Sequence, residues 1–372
     1  AISFVMLGGT LMSRSGLAEE IMNVGDAFTG EMPGGLGAST IVACMIFAAI
    51  SGSGPAVVAA LGVILIPAMV KRGYDAGYAG TLVAAGATIG PVIPPSIPMI
   101  IYSVIAGTSV VSMFAAGALP GILMGFMLIL FNYVISKKRG YLGKERRGGA
   151  RWVLSQCWKA KWALFLPFLI LGGIYGGVFT PTEAAVVGCV YALITGHFVY
   201  RQLTPENVFA AFVEAGLLSC LSMFILGGAT TFGRLLTMEG IPQMLAAKMT
   251  SISSSPLVLM MIIMLFLLVT GMFIDTTSNV VLFTPLFLPI VKAAGFSPVL
   301  FGVVMTMNLC LGMITPPVGV NLYVAQGISK APFDLMIKEA IPLVLALFIA
   351  IALTILFPEI ALMLPRALGM FV

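Results

Sequence analysis

A run of 36 residues, 256–291, carries one ionisable side chain, Asp275, set beside Thr276, Thr277, Ser278 and Asn279 near its middle. About 20 apolar residues cross the hydrocarbon core of a bilayer. The run is therefore too long for one straight crossing, and its polar break falls where a turn would lie. A second long apolar segment, 39–70, is broken by Ser51-Gly52-Ser53-Gly54-Pro55. Both are expected to be re-entrant helical hairpins, because irregular backbone at membrane depth survives only when buried in protein or lining a cavity.

The rest of the chain fits a membrane setting. Of its 372 residues 60% are hydrophobic and 9% charged, against about 25% charged in soluble domains. Further apolar segments are read at 1–13, 76–107, 110–136, 162–178, 183–200, 207–232, 298–328 and 341–357. They are continuously apolar, not alternating as lipid-facing barrel strands are, so an all-α polytopic membrane protein is expected. Ala1 opens on a segment that already reads as mid-span, so a preceding piece is expected to be missing.

The chain repeats itself. Pro67 matches Pro289, Gly73 Gly295, Gly80 Gly302, Gly90 Gly312, Pro94 Pro316, Pro95 Pro317 and Pro120 Pro342, each pair 222 residues apart. The boundaries expected are a first repeat at 1–136 (hairpin 39–70, broken helix 76–107) and a basic cytoplasmic loop at 137–161. Connecting scaffold helices follow at 162–206, then a second repeat at 207–372 (hairpin 256–291, broken helix 298–328). Five crossings lie between the hairpins, and an odd number inverts one repeat relative to the other. Placed on that topology, fifteen Lys and Arg fall on one face and four (Arg234, Lys248, Lys292, Arg366) on the other. The positive-inside rule makes the richer face cytoplasmic.

Inverted repeats with interrupted helices meeting at mid-membrane mark the binding site of a secondary transporter: helix ends offer carbonyls to a cation and amides to an anion. The first-repeat candidates for a sodium site are Ser51, Ser53 and Gly54, facing Gly90 and Pro94. The second-repeat candidates are Asp275, Thr276 and Thr277, facing Gly312, Thr315 and Pro316. A substrate carboxylate is expected between the hairpin tips, held by Ser53, Pro55, Pro95, Ser96, Thr277, Ser278, Asn279 and Pro317. Asp275 could neutralise a sodium ion, carry a proton or cap the second half-helix.

Other features have structural readings. Thr180-Pro181-Thr182-Glu183 fits a capping box. His197, Trp152, Trp158 and Trp162 read as interfacial anchors. The five scattered cysteines suggest small buried hydrophobes. No Gly-rich phosphate loop, nucleophile–base pair or ligand cluster is evident, so ATP-driven transport, enzymatic activity, nucleic-acid binding and any cofactor beyond coupling ions are not expected.

Ser51-Gly52-Ser53-Gly54, Leu65-Ile66-Pro67-Ala68-Met69, Thr88-Ile89-Gly90-Pro91-Val92-Ile93-Pro94-Pro95-Ser96-Ile97-Pro98, Phe179-Thr180-Pro181-Thr182-Glu183-Ala184-Ala185 and Leu311-Gly312-Met313-Ile314-Thr315-Pro316-Pro317-Val318-Gly319-Val320-Asn321-Leu322 extend the match to a family. Through nearly its whole length the chain resembles the large membrane (M) subunit of tripartite ATP-independent periplasmic (TRAP) transporters. The resemblance implies a multi-pass protein of the bacterial inner membrane, with an elevator-type ion-transporter fold. It implies import of a carboxylated solute, C4-dicarboxylate or sialic acid in type, with sodium. The implied partners are a small four-helix membrane (Q) subunit and a periplasmic substrate-binding protein. Two departures stand out: family members usually begin with a further transmembrane segment, and often have Pro and Ala where this chain has Ser278 and Asn279. An autonomous sodium/anion symporter or antiporter of related fold, and a channel or structural subunit, are the alternatives.

Overall fold

A computed structural model describes residues 2–16, 20, 21, 24, 25, 27, 32–141, 150–241, 244, 248 and 255–371, and among these all regular structure is helical. The helices are α1 (Ile2–Ser13), α2 (Gly35–Ser51), α3 (Gly54–Lys71), α4 (Ala76–Ala87), α5 (Ile97–Ala106), α6 (Val110–Arg139), α7 (Ala150–Lys159) and α8 (Lys161–Tyr175). They continue with α9 (Pro181–Ile194), α10 (Pro205–Met238), α11 (Pro256–Gly271), α12 (Thr276–Ala293), α13 (Pro298–Gly312), α14 (Val320–Ser329), α15 (Phe333–Leu356) and α16 (Glu359–Ala367).

Local chemistry sets the ends. Ser96, Ser109 and Ser297 each accept a backbone N–H of the helix they precede, and Thr180 with Glu183 forms a complete capping box. Such caps satisfy amides that have no partner within the helix.

The duplication is visible in three dimensions. Both bounds of α3 and α12 differ by 222, as do the starts of α4 and α13. Gly73 and Gly295, at matched positions, have φ of 85° and 82°. Each broken helix is two helices joined by irregular backbone, and each break contains a cis peptide, Pro94-Pro95 in one and Pro316-Pro317 in the other.

The helices pack in two sets that meet where α10 lies on α12 and α1 on α2. In the first, α1 lies along α9 and α10; Thr10 Oγ1 donates to Ala211 O at 3.2 Å, and Arg14 pairs with Glu214 at 2.8 Å. In the second, the two repeats interlock: α4 packs on α14 and α15, α5 on α12, and α6 on α15 and α16. Buried polar ties join them. Tyr102 donates to Pro298 O at 2.6 Å, Thr81 to Met336 O at 3.2 Å, and Arg139 reaches both Glu339 oxygens at 3.0 and 2.8 Å.

Two stretches differ from the sequence expectation. Residues 150–159, expected within a loop, form α7, and the pair Trp152–Lys159 and Lys161–Tyr175 bends by 68°. Lys161 Nζ sits 4.4 Å from the Trp158 ring and 5.4 Å from that of Trp162. A helix lying at the membrane surface needs only one apolar face, so it escapes a search for continuous apolar runs. The same reason hides α16, beyond the last expected segment. Five described helices are long and apolar enough to span a membrane, or six with the bent pair. Length does not separate a crossing from a hairpin arm: α3 and α12 pass the test, yet their N-terminal turns face one cavity.

Candidate functional site: the meeting point of two helical turns

The turn between α2 and α3 is dictated by glycine. Gly52 has φ 61°, a left-handed conformation that glycine adopts without steric penalty. A Cβ there would also stand 2.7 Å from Pro95 O, so the turn is pressed against the first Pro-Pro break. Gly90, inside that break, lies so close to Ser53 that a Cβ would approach Ser53 O at 3.2 Å. The turn and break that the sequence predicts to face one another are in contact.

The turn between α11 and α12 uses different chemistry. Asp275 caps α12: Oδ1 accepts from Thr277 N at 2.7 Å and Ser278 N at 3.3 Å, and Oδ2 accepts from Ser278 Oγ. Asn279 donates to Ile274 O at 2.8 Å and Asp275 O at 3.1 Å, closing the turn on itself. A Cβ at Gly312 would lie 2.4 Å from the Gly271 carbonyl carbon, so this turn too touches its partner break. Val318 N adds a bond to Met272 O at 3.3 Å.

Both turns open on a cavity of about 250 Å³. Ser51, Ser53, Gly54 and Pro55 line it from the first repeat, and Asp275, Thr276 and Thr277 from the second. Helix α1 contributes Gly9 and Thr10 to the wall, residues the sequence gave no reason to choose. Several predicted residues stand elsewhere. Ser96 is buried as the cap of α5, donating to Pro91 O and accepting from Met99 N at 3.2 Å. Pro95 faces α1 and Phe114. Gly90, Pro94, Gly312, Thr315, Pro316, Pro317, Ser278 and Asn279 form the backing of the two turns and do not line the cavity. Thr315 Oγ1 donates to Leu311 O at 2.7 Å.

Chemically the cavity offers one carboxylate, several hydroxyls, and the free backbone groups of interrupted helices. Such a donor set suits a hard monovalent cation and an oxyanion together. A larger depression of about 540 Å³ lies between α9 and α10. It is lined by apolar side chains and His197, whose Nδ1 lies 3.2 Å from Leu203 O. Without converging polar groups it lacks the makings of a solute site.

A polytopic helical fold with two interrupted hairpins meeting at one cavity is that of a membrane carrier. Residues 1–360 match the family model described as "Tripartite ATP-independent periplasmic transporter, DctM component". The chain belongs to that family, a family of transporters and not of enzymes, and is a multi-pass protein of the inner membrane. It is 41% identical over 360 residues to the isethionate TRAP transporter permease protein DctMQ of Oleidesulfovibrio alaskensis, covering 97% of this chain and 57% of that protein. It is 37% identical to the C4-dicarboxylate TRAP transporter large permease protein DctM of Pseudomonas aeruginosa, covering 100% and 86%. The sialic acid TRAP transporter large permease protein SiaM of Vibrio cholerae is 39% identical, with 98% and 86% covered. Among solved structures, the YdaH transporter of Alcanivorax borkumensis has a similar fold, with a TM-score of 0.65 at 16% identity, over 95% of this chain and 83% of that one.

Proposed function

We propose that this chain is the transport core of a three-part, sodium-coupled importer of a small organic acid. Two matched turns, each backed by a Pro-Pro break, converging on one cavity is the observation that carries the reading. One cation site forms per repeat: Ser51, Ser53 and Gly54 against Gly90 and Pro94, and Asp275, Thr276 and Thr277 against Gly312, Thr315 and Pro316. Interrupted helices supply neutral oxygens at one end and amides at the other, so sodium and an acid group bind side by side and offset each other's charge. Ser53, Pro55 and Thr277 reach the solute directly; Pro95, Ser96, Ser278, Asn279 and Pro317 hold the turns in place.

Relatives named for isethionate, C4-dicarboxylates and sialic acid support an anionic organic solute. A carboxylate fits the hydroxyls of Ser53 and Thr277, which line the cavity from either side. The partners are a periplasmic binding protein that delivers the solute and a small four-helix membrane subunit. The isethionate relative, whose name joins M and Q, favours the latter. The repeats are inverted, with residue 140 on the cytoplasmic side, and the interlocked helices α2–α6 and α11–α16 slide as one elevator body past α1 and α8–α10.

Uptake into proteoliposomes holding this chain and its small partner tests the proposal, with and without a sodium gradient and the binding protein. Accumulation that needs both is expected. Accumulation needing sodium alone would reassign the chain as an autonomous symporter, and flux indifferent to both would make it a channel. A cysteine at Gly140 should react with a membrane-impermeant maleimide only from the cytoplasmic face; labelling from outside would reverse the topology.

A further inference from the structure

Asn321, which opens α14 in the second repeat, is fully buried. Its backbone N–H donates to Met313 O at 3.0 Å, beside the second Pro-Pro break, while its side chain crosses to the first repeat. Nδ2 donates to Ala84 O at 3.2 Å, near the C-terminal end of α4. That bond fixes the amide's orientation, since a carbonyl accepts only from the NH2 side. The other end, Oδ1, has no hydrogen-bond partner, and a buried acceptor left unpaired is costly.

The surroundings of Oδ1 are specific. A Cβ on Gly54 would stand 3.0 Å from Asn321 Nδ2, 3.1 Å from its Oδ1 and 3.2 Å from Ala87 O. A Cβ on Gly90 would stand 3.1 Å from the same Ala87 O and 3.2 Å from Ser53 O. Gly54 thus brings Ala87 O close to the Asn321 amide, and Gly90 brings Ser53 O close to the same Ala87 O. Ala87 O accepts from Gly90 N, which leaves it a second lone pair, while Ser53 O accepts from Val57 N at 3.2 Å and more weakly from Ser51 Oγ at 3.5 Å. Uncharged oxygens beside a glycine wall are a ligand type that hard cations take.

We propose that Asn321 supplies its amide oxygen to the cation site of the first hairpin, so that this site is completed by a residue from the second repeat. The inference rests on the sodium reading above and adds a ligand to it. The duplication cannot provide an equivalent, because the position 222 residues earlier is Met99, whose thioether packs towards Gly117. The consequence is directional: loading the first site holds α14 against the first hairpin and so reports to the second Pro-Pro break, three residues before α14 begins.

The test is sodium-dependent thermal stabilisation of the purified full chain, titrated against choline at constant ionic strength. No solute is needed. The wild-type melting temperature should rise with sodium, and Asn321→Ala should move the half-saturating sodium concentration up tenfold or more. Asn321→Asp keeps an oxygen in place and should stay within about threefold of the wild type. A capping role alone predicts lower melting temperatures with the sodium midpoint unmoved, and that result overturns the assignment. If Asn321→Ala does not fold, Asn321→Ser, too short to reach the Gly54 wall, replaces it with the same expected shift. A wild-type chain that ignores sodium sinks the coupling proposal together with this one. A wild-type response retained unchanged in the variants sinks only the role of Asn321.

Discussion

The two hairpin turns share a backbone plan and almost no side-chain chemistry. Ser53 and Asp275 occupy equivalent places, 222 residues apart, each preceding the second arm of its hairpin. Asp275 makes its cap with the carboxylate and is exposed to the cavity, whereas Ser53 makes no side-chain cap and its neighbours Gly52 and Gly54 are buried. The first Pro-Pro break is buried; in the second, Pro316 is half-buried and Pro317 exposed. One turn holds its shape by glycine contacts, the other by a charge and its hydrogen bonds. The two halves keep their breaks in register and stabilise them by different side chains.

That contrast can be broken experimentally. The largest effect is expected at the glycines that seat turn on break. Gly312→Ala drives a methyl into the Gly271 backbone and should destabilise the protein by about 3 kcal/mol or abolish folding. Gly90→Ala meets its neighbours at 3.1 Å or more and should cost about 1 kcal/mol. Thermal unfolding in detergent separates them, and equal losses would show that the two breaks are seated alike. A smaller effect is expected at the caps. Asp275→Ala should lose about 1 kcal/mol and weaken sodium activation of uptake. Asp275→Asn should keep most of the stability and still require more sodium; unchanged activation in a folded Asp275→Asn variant would remove the carboxylate from the ion site. The smallest is Ser53→Ala, which removes no capping bond and should change stability by less than about 0.5 kcal/mol. A larger loss would mean that the first turn leans on its hydroxyl as the second leans on Asp275.

Much of this was legible in the sequence because the breaks interrupt long apolar runs. Residues 51–55 and 275–279 stand out against their flanks, and the offset of 222 pairs them without a structure. Side-chain direction was not legible. Ser96 and Asn279 sit at the right depth but turn their polar groups into backbone caps, a choice made by rotamer and local φ, ψ. Cross-repeat contacts were hidden for a further reason. Thr10 and Asn321 approach the first turn from helices distant in the chain, and periodicity carries no information about such neighbours. Asn321 did leave a trace: a lone amide just past a Pro-Pro pair, in a stretch otherwise apolar, asks for a buried partner. Helix α7 escaped because polar residues interrupt its apolar face, and α16 because it is only 9 residues long with a charge near each end.

The placement of ion pairs bears on the sliding proposed above. Arg14–Glu214 ties α1 to α10. Arg139 ties α6 to Glu339 of α15 and to Asp75 just before α4, and Arg366–Glu359 lies within α16. None of the ion pairs among the described residues crosses from the α1, α8–α10 group to the rest. Separating a desolvated pair by removing one partner costs about 3–5 kcal/mol, so a charged tie across that surface would act as a catch, released and reset on every cycle. Across that boundary Gly9 lies against Ser51, small residue on small residue, and α10 packs on α12. The charged clamps among the described residues sit inside each half, as a bearing for the sliding proposed above would require.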